Sequence, residues 1–95
     1  MKFRKRPIVI DAIQWTGENI KEMREFTKGK AIIDEGIGSS EDGHGYPQHY
    51  VRMVIPTLEG DHLASIGDFI IKGVEQEIYP CKKEIFFKTY EKVEE

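Results

Sequence analysis

The sequence predicts a small α+β domain, with a mainly antiparallel sheet of about five strands, one packed helix and a short C-terminal helix. Three observations lead to this fold class. Short runs rich in β-branched residues alternate with turns that contain glycine or proline. Apolar residues recur at helical spacing between Asn19 and Gly29, and again within "KKEIFFKTYEKV" (Lys82 to Val93). The chain has 95 residues, which suits a single domain covering positions 1–95.

The first strand is predicted from "RPIVIDAIQW" (Arg6 to Trp15), because β-branched and apolar residues dominate it. Its two faces are both apolar, which predicts a central position in the sheet. The main helix follows. Asn19 is a suitable N-cap, Glu22 is spaced to bond the backbone amide of that cap, and Gly29 marks the end.

A second strand is predicted from "KAIIDEG" (Lys30 to Gly36), and "GIGSSEDGHGYPQ" (Gly36 to Gln48) is predicted to be a glycine-rich loop. A hairpin follows, formed by "HYVRMVIPTL" (His49 to Leu58) and "HLASI" (His62 to Ile66), with its turn between them. Pro56 lacks an amide hydrogen, so it is expected at a sheet edge or bulge.

The stretch "GDFIIKGVEQEIYPC" (Gly67 to Cys81) predicts a second hairpin after a Gly67–Asp68 turn. Its first strand runs from Phe69 to Ile71, and Lys72 to Gln76 form the turn. In the C-terminal helix, one face is expected to be buried: Ile85, Phe86, Tyr90 and Val93.

Composition excludes several classes of protein. The net charge is −3 and the predicted pI is about 5.6, which gives no overall indication of a nucleic-acid or membrane partner. A single cysteine cannot form an internal disulfide, and no apolar run is long enough to span a membrane. The opening residues lack a signal peptide's apolar stretch. A reducing intracellular compartment is therefore expected.

Three blocks resemble a family of small uncharacterised phage and prophage proteins. They are "RKRPIVIDAIQWTGEN", "TLEGDHLASIGDFIIKGVEQEIYPC" and "IFFKTYE", which together cover about half of the chain. The resemblance implies a location in the host cytoplasm and carries no activity with it. The Gly36–Gln48 loop lies outside these blocks.

Candidate catalytic and metal-binding residues are few. Catalysis by Cys81 would need a lowered pKa and a nearby base, and no histidine is close in sequence, so a buried structural cysteine is favoured. Possible metal ligands are His44, His49 and His62 with Asp42 or Asp61. Their spacing is not that of a zinc site, so solvated histidines are favoured, and no metal or cofactor is predicted.

A binding site for an anion is the alternative to catalysis. The backbone amides of "GIGSS" (Gly36 to Ser40) could cradle a phosphate, although the lysine of a P-loop is missing. The basic segment near the start could contact phosphates, and Tyr46 could stack on a base. The predicted ligand-binding residues are Gly36, Gly38, Ser39, Ser40, Tyr46, Arg4 and Arg6.

These observations predict a non-enzymatic phage accessory protein that binds a small anionic ligand, such as a nucleotide immune signal, or a host protein, as in counter-defence. One alternative is a structural or assembly component of the virion that acts as a homo-oligomer, for example through an exposed sheet edge. The other alternative is a small enzyme that uses Cys81 or the histidines.

Overall fold

The computed structural model describes residues 1–38 and 48–93 of the chain. Within them, six strands and two helices follow one another: β1 (Asp11–Gln14), α1 (Ile20–Phe26), β2 (Ile32–Gly38), β3 (Gln48–Thr57), β4 (Gly60–Ala64), β5 (Phe69–Lys72), β6 (Ile78–Cys81) and α2 (Lys83–Thr89). The α+β class is confirmed. The prediction of one sheet of about five strands is corrected, since the described strands form two antiparallel sheets of three.

The first sheet has the order β1-β5-β6, so β5 is central and β1 lies at an edge. The predicted central position of the first strand is therefore wrong. Only Asp11 to Gln14 pair with β5, while Ile8 and Val9 remain exposed before the strand begins. The apolar residues on both faces of "RPIVI" indicated a central strand, but among the described residues no strand pairs with this segment.

The second sheet has the order β2-β3-β4. Met53 and Ile55 of the central strand β3 point into the core and are fully buried, as the alternation of the sequence predicts. Pro56 pairs with Asp61 of β4, and it lies beyond Val54, where the pairing of β3 with β2 starts. The missing amide hydrogen of Pro56 thus leaves the β2–β3 ladder intact.

Strand β2 extends two residues further than the sequence predicts. Gly36 pairs with Tyr50 and Gly38 pairs with Gln48, so the predicted loop boundary at Gly36 is wrong. The Tyr50 ring explains the glycine: a Cβ at Gly36 would lie 2.7 Å from the Tyr50 hydroxyl oxygen. Because Gly36 has no side chain, the aromatic ring of its cross-strand partner Tyr50 can pack against the backbone there.

Helix α1 begins after Asn19, but the side chain of Asn19 does not cap it. The side-chain Nδ2 of Asn19 instead donates to the Gln14 carbonyl (2.8 Å) and to the Glu22 carboxylate (2.7 Å). The predicted bond from Glu22 to the cap amide is thus replaced by a bond to the cap side chain. At the other end, Lys28 and Gly29 have positive φ angles, and their amides bond back to the last turn, which confirms the predicted stop.

The core lies between the two sheets and beneath α1. Its buried members are Trp15, Met23, Ala31, Met53, Ile55, Ala64, Ile70 and Ile78. Helix α2 lies on the other side of the first sheet, where the rings of Phe69 and Phe86 stack with centroids 4.0 Å apart. No residue of α2 is buried, and Ile85 and Val93, predicted on its buried face, are more than half exposed.

Candidate functional site

Two hairpin turns stand on either side of a groove of about 880 Å³. One wall comes from the β3–β4 turn, with Pro56, Leu58 and Glu59. The other comes from the β5–β6 turn and strand β6, with Glu75, Glu77, Ile78, Tyr79 and Pro80. The remaining lining residues of this space, the inter-turn groove, are Lys30, Thr57, His62 and Gln76. Its volume is typical of ligand and peptide sites.

The first wall carries an apolar side chain where a turn usually carries a polar one. Leu58 is fully exposed, at 107% of its reference area. The turn around it is fixed by Thr57, whose hydroxyl donates to the Gly60 carbonyl (2.8 Å) and accepts from the Glu59 amide (3.1 Å). Gly60 has a φ of 116°, a conformation that glycine adopts without strain. The sequence thus holds Leu58 outward at a defined position.

The second wall is also held by local bonds. The Gly73 amide donates to the Glu77 carbonyl (2.8 Å), and the Glu75 amide donates to the Glu77 carboxylate (2.9 Å). Gly73 is buried, and a Cβ there would overlap the Glu77 carboxylate. Gln76 takes a φ of 67° to close the turn. Glu75 and Glu77 are therefore fixed close together at the rim of the groove.

The groove is acidic overall. Glu59, Glu75 and Glu77 contribute three carboxylates, whereas Lys30 contributes a single ammonium group. Like charges along a groove repel an anionic ligand and attract a cationic one. This arrangement favours a basic segment as the occupant.

Tyr79 joins the groove to helix α2. The pKa of Tyr79 is raised to about 12, and burial of the phenol is the largest cause. The neighbouring Tyr90 hydroxyl and the Glu77 carboxylate raise it further. The phenol therefore stays protonated at neutral pH. It supplies an apolar ring and a hydrogen-bonding hydroxyl to the groove, and no charge.

Cys81 is half-buried at the end of β6, where its thiol donates to the Lys82 carbonyl (3.6 Å). Burial, and secondly the Asp68 carboxylate, raise the pKa of the Cys81 thiol. The ammonium group of Lys82, the next residue in the chain, lies 3.4 Å from the Asp68 carboxylate. These facts weaken the case for a nucleophilic thiol and favour the structural interpretation of Cys81.

The predicted ligand-binding residues are only partly placed. Ser39, Ser40 and Tyr46 lie outside the described residues, and Gly36 and Gly38 belong to strand β2. Arg4 and Arg6 are exposed before the first strand. Among the described residues, Gly36, Gly38, Arg4 and Arg6 do not line the inter-turn groove. The role of the seven residues in binding an anion stays a prediction.

A smaller depression of about 380 Å³ lies over Trp15, lined by Tyr50, Arg52, Leu63 and Ile66 among others. It opens where β4 ends at Ala64 and β3 continues without that neighbour. The Arg52 guanidinium is paired with Asp34 at 3.2 Å, and both side chains are more than half exposed. The Asp34 carboxylate therefore competes with an anion for Arg52, which disfavours anion binding in this depression.

Among the described residues, no group of three or more histidine, cysteine, aspartate or glutamate side chains could hold a metal ion. His44 and Asp42 lie outside the described part of the chain, so the predicted metal candidates are only partly placed. No helix within residues 1–38 and 48–93 is long and apolar enough to cross a membrane.

No family model, curated protein or solved structure matches the chain. The likeness to small phage proteins therefore stays a prediction from the sequence blocks. The groove itself was missed at the sequence level. Its one local indication was an apolar residue at the tip of each hairpin turn, Leu58 and Val74, where polar residues are usual.

Proposed function

We propose that this chain is a non-enzymatic phage accessory protein that binds a protein partner through the inter-turn groove. The observation that carries the proposal is the groove's composition: a fully exposed Leu58 and the Tyr79 ring beside three rim carboxylates. Apolar anchors surrounded by charge are typical of protein-binding surfaces. The phage class rests on the sequence blocks that resemble small phage proteins.

Binding is favoured over catalysis by the ionisation of the site. General acid–base and nucleophilic catalysis need groups whose pKa lies near the working pH. The pKa of Tyr79, which lines the groove, and the pKa of Cys81, which follows the groove residue Pro80, are both raised, which moves them further from neutral pH. Neither group is prepared to accept a proton or attack a substrate.

A protein partner is favoured over a small anion by charge. A nucleotide in the groove would meet the carboxylates of Glu59, Glu75 and Glu77, and its phosphates would be repelled. A basic peptide segment would be attracted by the same groups. As part of this proposal, the partner presents lysine or arginine beside an apolar side chain.

The experiment is affinity capture from a bacterial host lysate with matched variants, followed by a binding measurement on the purified pair. Leu58→Asp adds a charge at the apolar anchor and should weaken binding about tenfold or more. Leu63→Asp makes the same change on β4, where the leucine is 60% exposed and outside the groove, and should leave binding unchanged.

Capture that is equal with both variants would remove the groove from the proposal. The alternative that the protein binds a small anion is tested separately, by measuring the thermal shift of the protein with a panel of nucleotides. A true ligand at about 100 times its dissociation constant stabilises the fold by about 2.7 kcal/mol. A shift that Arg4→Ala/Arg6→Ala abolishes and Leu58→Asp leaves intact would favour a nucleotide over a protein partner.

A further inference from the structure

The first ten residues, Met1 to Ile10, form a basic arm without helix or strand. Its four cations are Lys2, Arg4, Lys5 and Arg6. No hydrogen bond or ion pair in the described part of the chain involves these four side chains. Phe3 is 90% exposed and Val9 is 73% exposed, so apolar area accompanies the charge. Such a segment has the composition that the inter-turn groove would accept.

We propose that the basic arm of one copy lies in the inter-turn groove of a second copy, and that two copies exchange arms reciprocally. This inference rests on the proposed function, because the groove must accept a basic and partly apolar segment. It names one such segment, carried by the chain itself. A host partner would then compete with the arm for the groove.

Charge complementarity is the first argument. The arm brings four positive charges, and the groove rim brings the carboxylates of Glu59, Glu75 and Glu77 against the ammonium group of Lys30. The chain as a whole carries a net charge of −3, so the arm is a local exception to the overall sign. Opposite potentials on two surfaces of one molecule steer copies together and fix their orientation.

The shape of the arm is the second argument. Pro7 cannot continue a helix, and it restricts Arg6 to an extended conformation. In an extended arm the side chains would alternate, so Arg4 and Arg6 would point to one side and Phe3 and Lys5 to the other. The groove offers the corresponding walls, with Glu75 and Glu77 on one and Leu58 on the other.

The position of the arm indicates that it binds the inter-turn groove of another copy and not the groove of its own chain. The arm leads into β1, an edge strand that β5 separates from β6, whereas the groove runs along β6. No arm residue lines the groove of its own chain, and Met1 to Val9 are exposed. A second copy can supply the arm to the groove, and reciprocal exchange closes the pair as a symmetric dimer.

The test is a charge swap on the full chain, read by sedimentation equilibrium at low ionic strength. The arm variant is Arg4→Glu/Arg6→Glu, and the groove variant is Glu59→Lys/Glu75→Lys. Each variant alone should associate at least about tenfold more weakly than the unchanged protein. An equimolar mixture should associate again, because each acidic arm then meets a basic groove and each basic arm an acidic groove.

The control matched to the groove variant is Glu25→Lys/Glu91→Lys, which makes the same change in net charge at exposed positions outside the groove and should leave association unchanged. The inference is overturned if the unchanged protein is monomeric, if the mixture does not restore association, or if both charge variants still associate. The last result would point to pairing through the edge strand β2.

A peptide with the sequence of residues 2–9 separates this inference from the proposed function. Titrated into the arm variant, it should bind, and Leu58→Asp introduced into that variant should weaken the binding. Peptide binding without self-association of the unchanged chain would overturn the arm exchange and leave the groove as a binding site. Failure of the peptide to bind would overturn the arm exchange, and equal lysate capture with Leu58→Asp would overturn the proposed function.

Discussion

The Asp68 carboxylate lies 3.4 Å from the Lys82 ammonium group and accepts a 2.9 Å hydrogen bond from the Ser65 amide. Asp68 is 5% exposed, so this buried carboxylate joins the Ser65–Asp68 turn to the residue that precedes α2. It also acts on Cys81, since its negative charge contributes to the raised pKa of the thiol.

Asp68→Asn should therefore lower the pKa of the Cys81 thiol, because it removes a negative charge that disfavours the thiolate. The thiol pKa stays raised in part, since burial is the larger cause. The measurement is the rate of alkylation of Cys81 against pH, whose midpoint should move to lower pH. Asp34→Asn, which removes a carboxylate paired with Arg52 on the second sheet, is the control. An unchanged midpoint with Asp68→Asn would contradict the assigned cause.

Met53 tests the core between the sheets. Its side chain is fully buried on the central strand β3, so Met53→Ala leaves a cavity and should reduce the free energy of unfolding by about 2–5 kcal/mol. Leu63→Ala on the neighbouring strand removes an apolar side chain that is 60% exposed, and should cost less than about 1 kcal/mol. Urea denaturation compares the two variants. Equal losses would mean that the core is misplaced.

Lys28 tests the end of helix α1. It has a φ of 53°, in the left-handed region where a side chain costs about 1 kcal/mol. Lys28→Gly should therefore stabilise the protein by up to about 1 kcal/mol, whereas Lys21→Gly within the helix should destabilise it by about 1 kcal/mol. Thermal denaturation of both variants checks the opposite signs. Destabilisation by both would show that Lys28 contributes a contact that outweighs its backbone strain.

The contact between Gly36 and Tyr50 offers a structural explanation for the glycine at position 36, which the sequence predicted as a ligand-binding residue. A methyl group at Gly36 would displace the Tyr50 ring, which is 43% exposed and free to move outward. Gly36→Ala should thus cost about 1 kcal/mol in the unchanged protein and close to nothing in a Tyr50→Ala background. A double-mutant cycle by urea denaturation measures this coupling. An equal cost in both backgrounds would separate the glycine from the ring.

Local patterns predicted the parts of this fold that depend on neighbours in sequence. The β5–β6 hairpin follows from two short apolar runs on either side of the Lys72–Gln76 turn, and the end of α1 follows from Gly29. Long-range pairing was not predictable in the same way. The strand containing Ala12 pairs with Ile71 of β5, far along the chain, and no local pattern distinguishes this edge position from a central one.

The groove illustrates the same limit. Leu58 and Tyr79 belong to hairpins of different sheets, and they line one groove because β6 packs against β3 and β4. Each turn was predictable from its own residues, but their approach depends on tertiary packing. The anion site was instead predicted from glycine content, and at Gly36 the glycine is explained by the ring of Tyr50.

Replacement of residues 39–47 distinguishes between the inter-turn groove and the predicted anion site as the place of binding. The segment contains Ser39, Ser40 and Tyr46, which belong to the predicted anion site. Replacing the segment with a glycine–serine linker of equal length should preserve the fold, because the core cluster of the described residues already joins both sheets to α1. Cooperative thermal unfolding checks this first. Binding of the peptide with the sequence of residues 2–9 should then be unchanged, because the described lining of the groove already supplies Leu58 and the three rim carboxylates. Loss of peptide binding in a folded linker variant would place the site at the replaced segment, whereas loss of a nucleotide-induced thermal shift alone would identify that segment as a separate anion site.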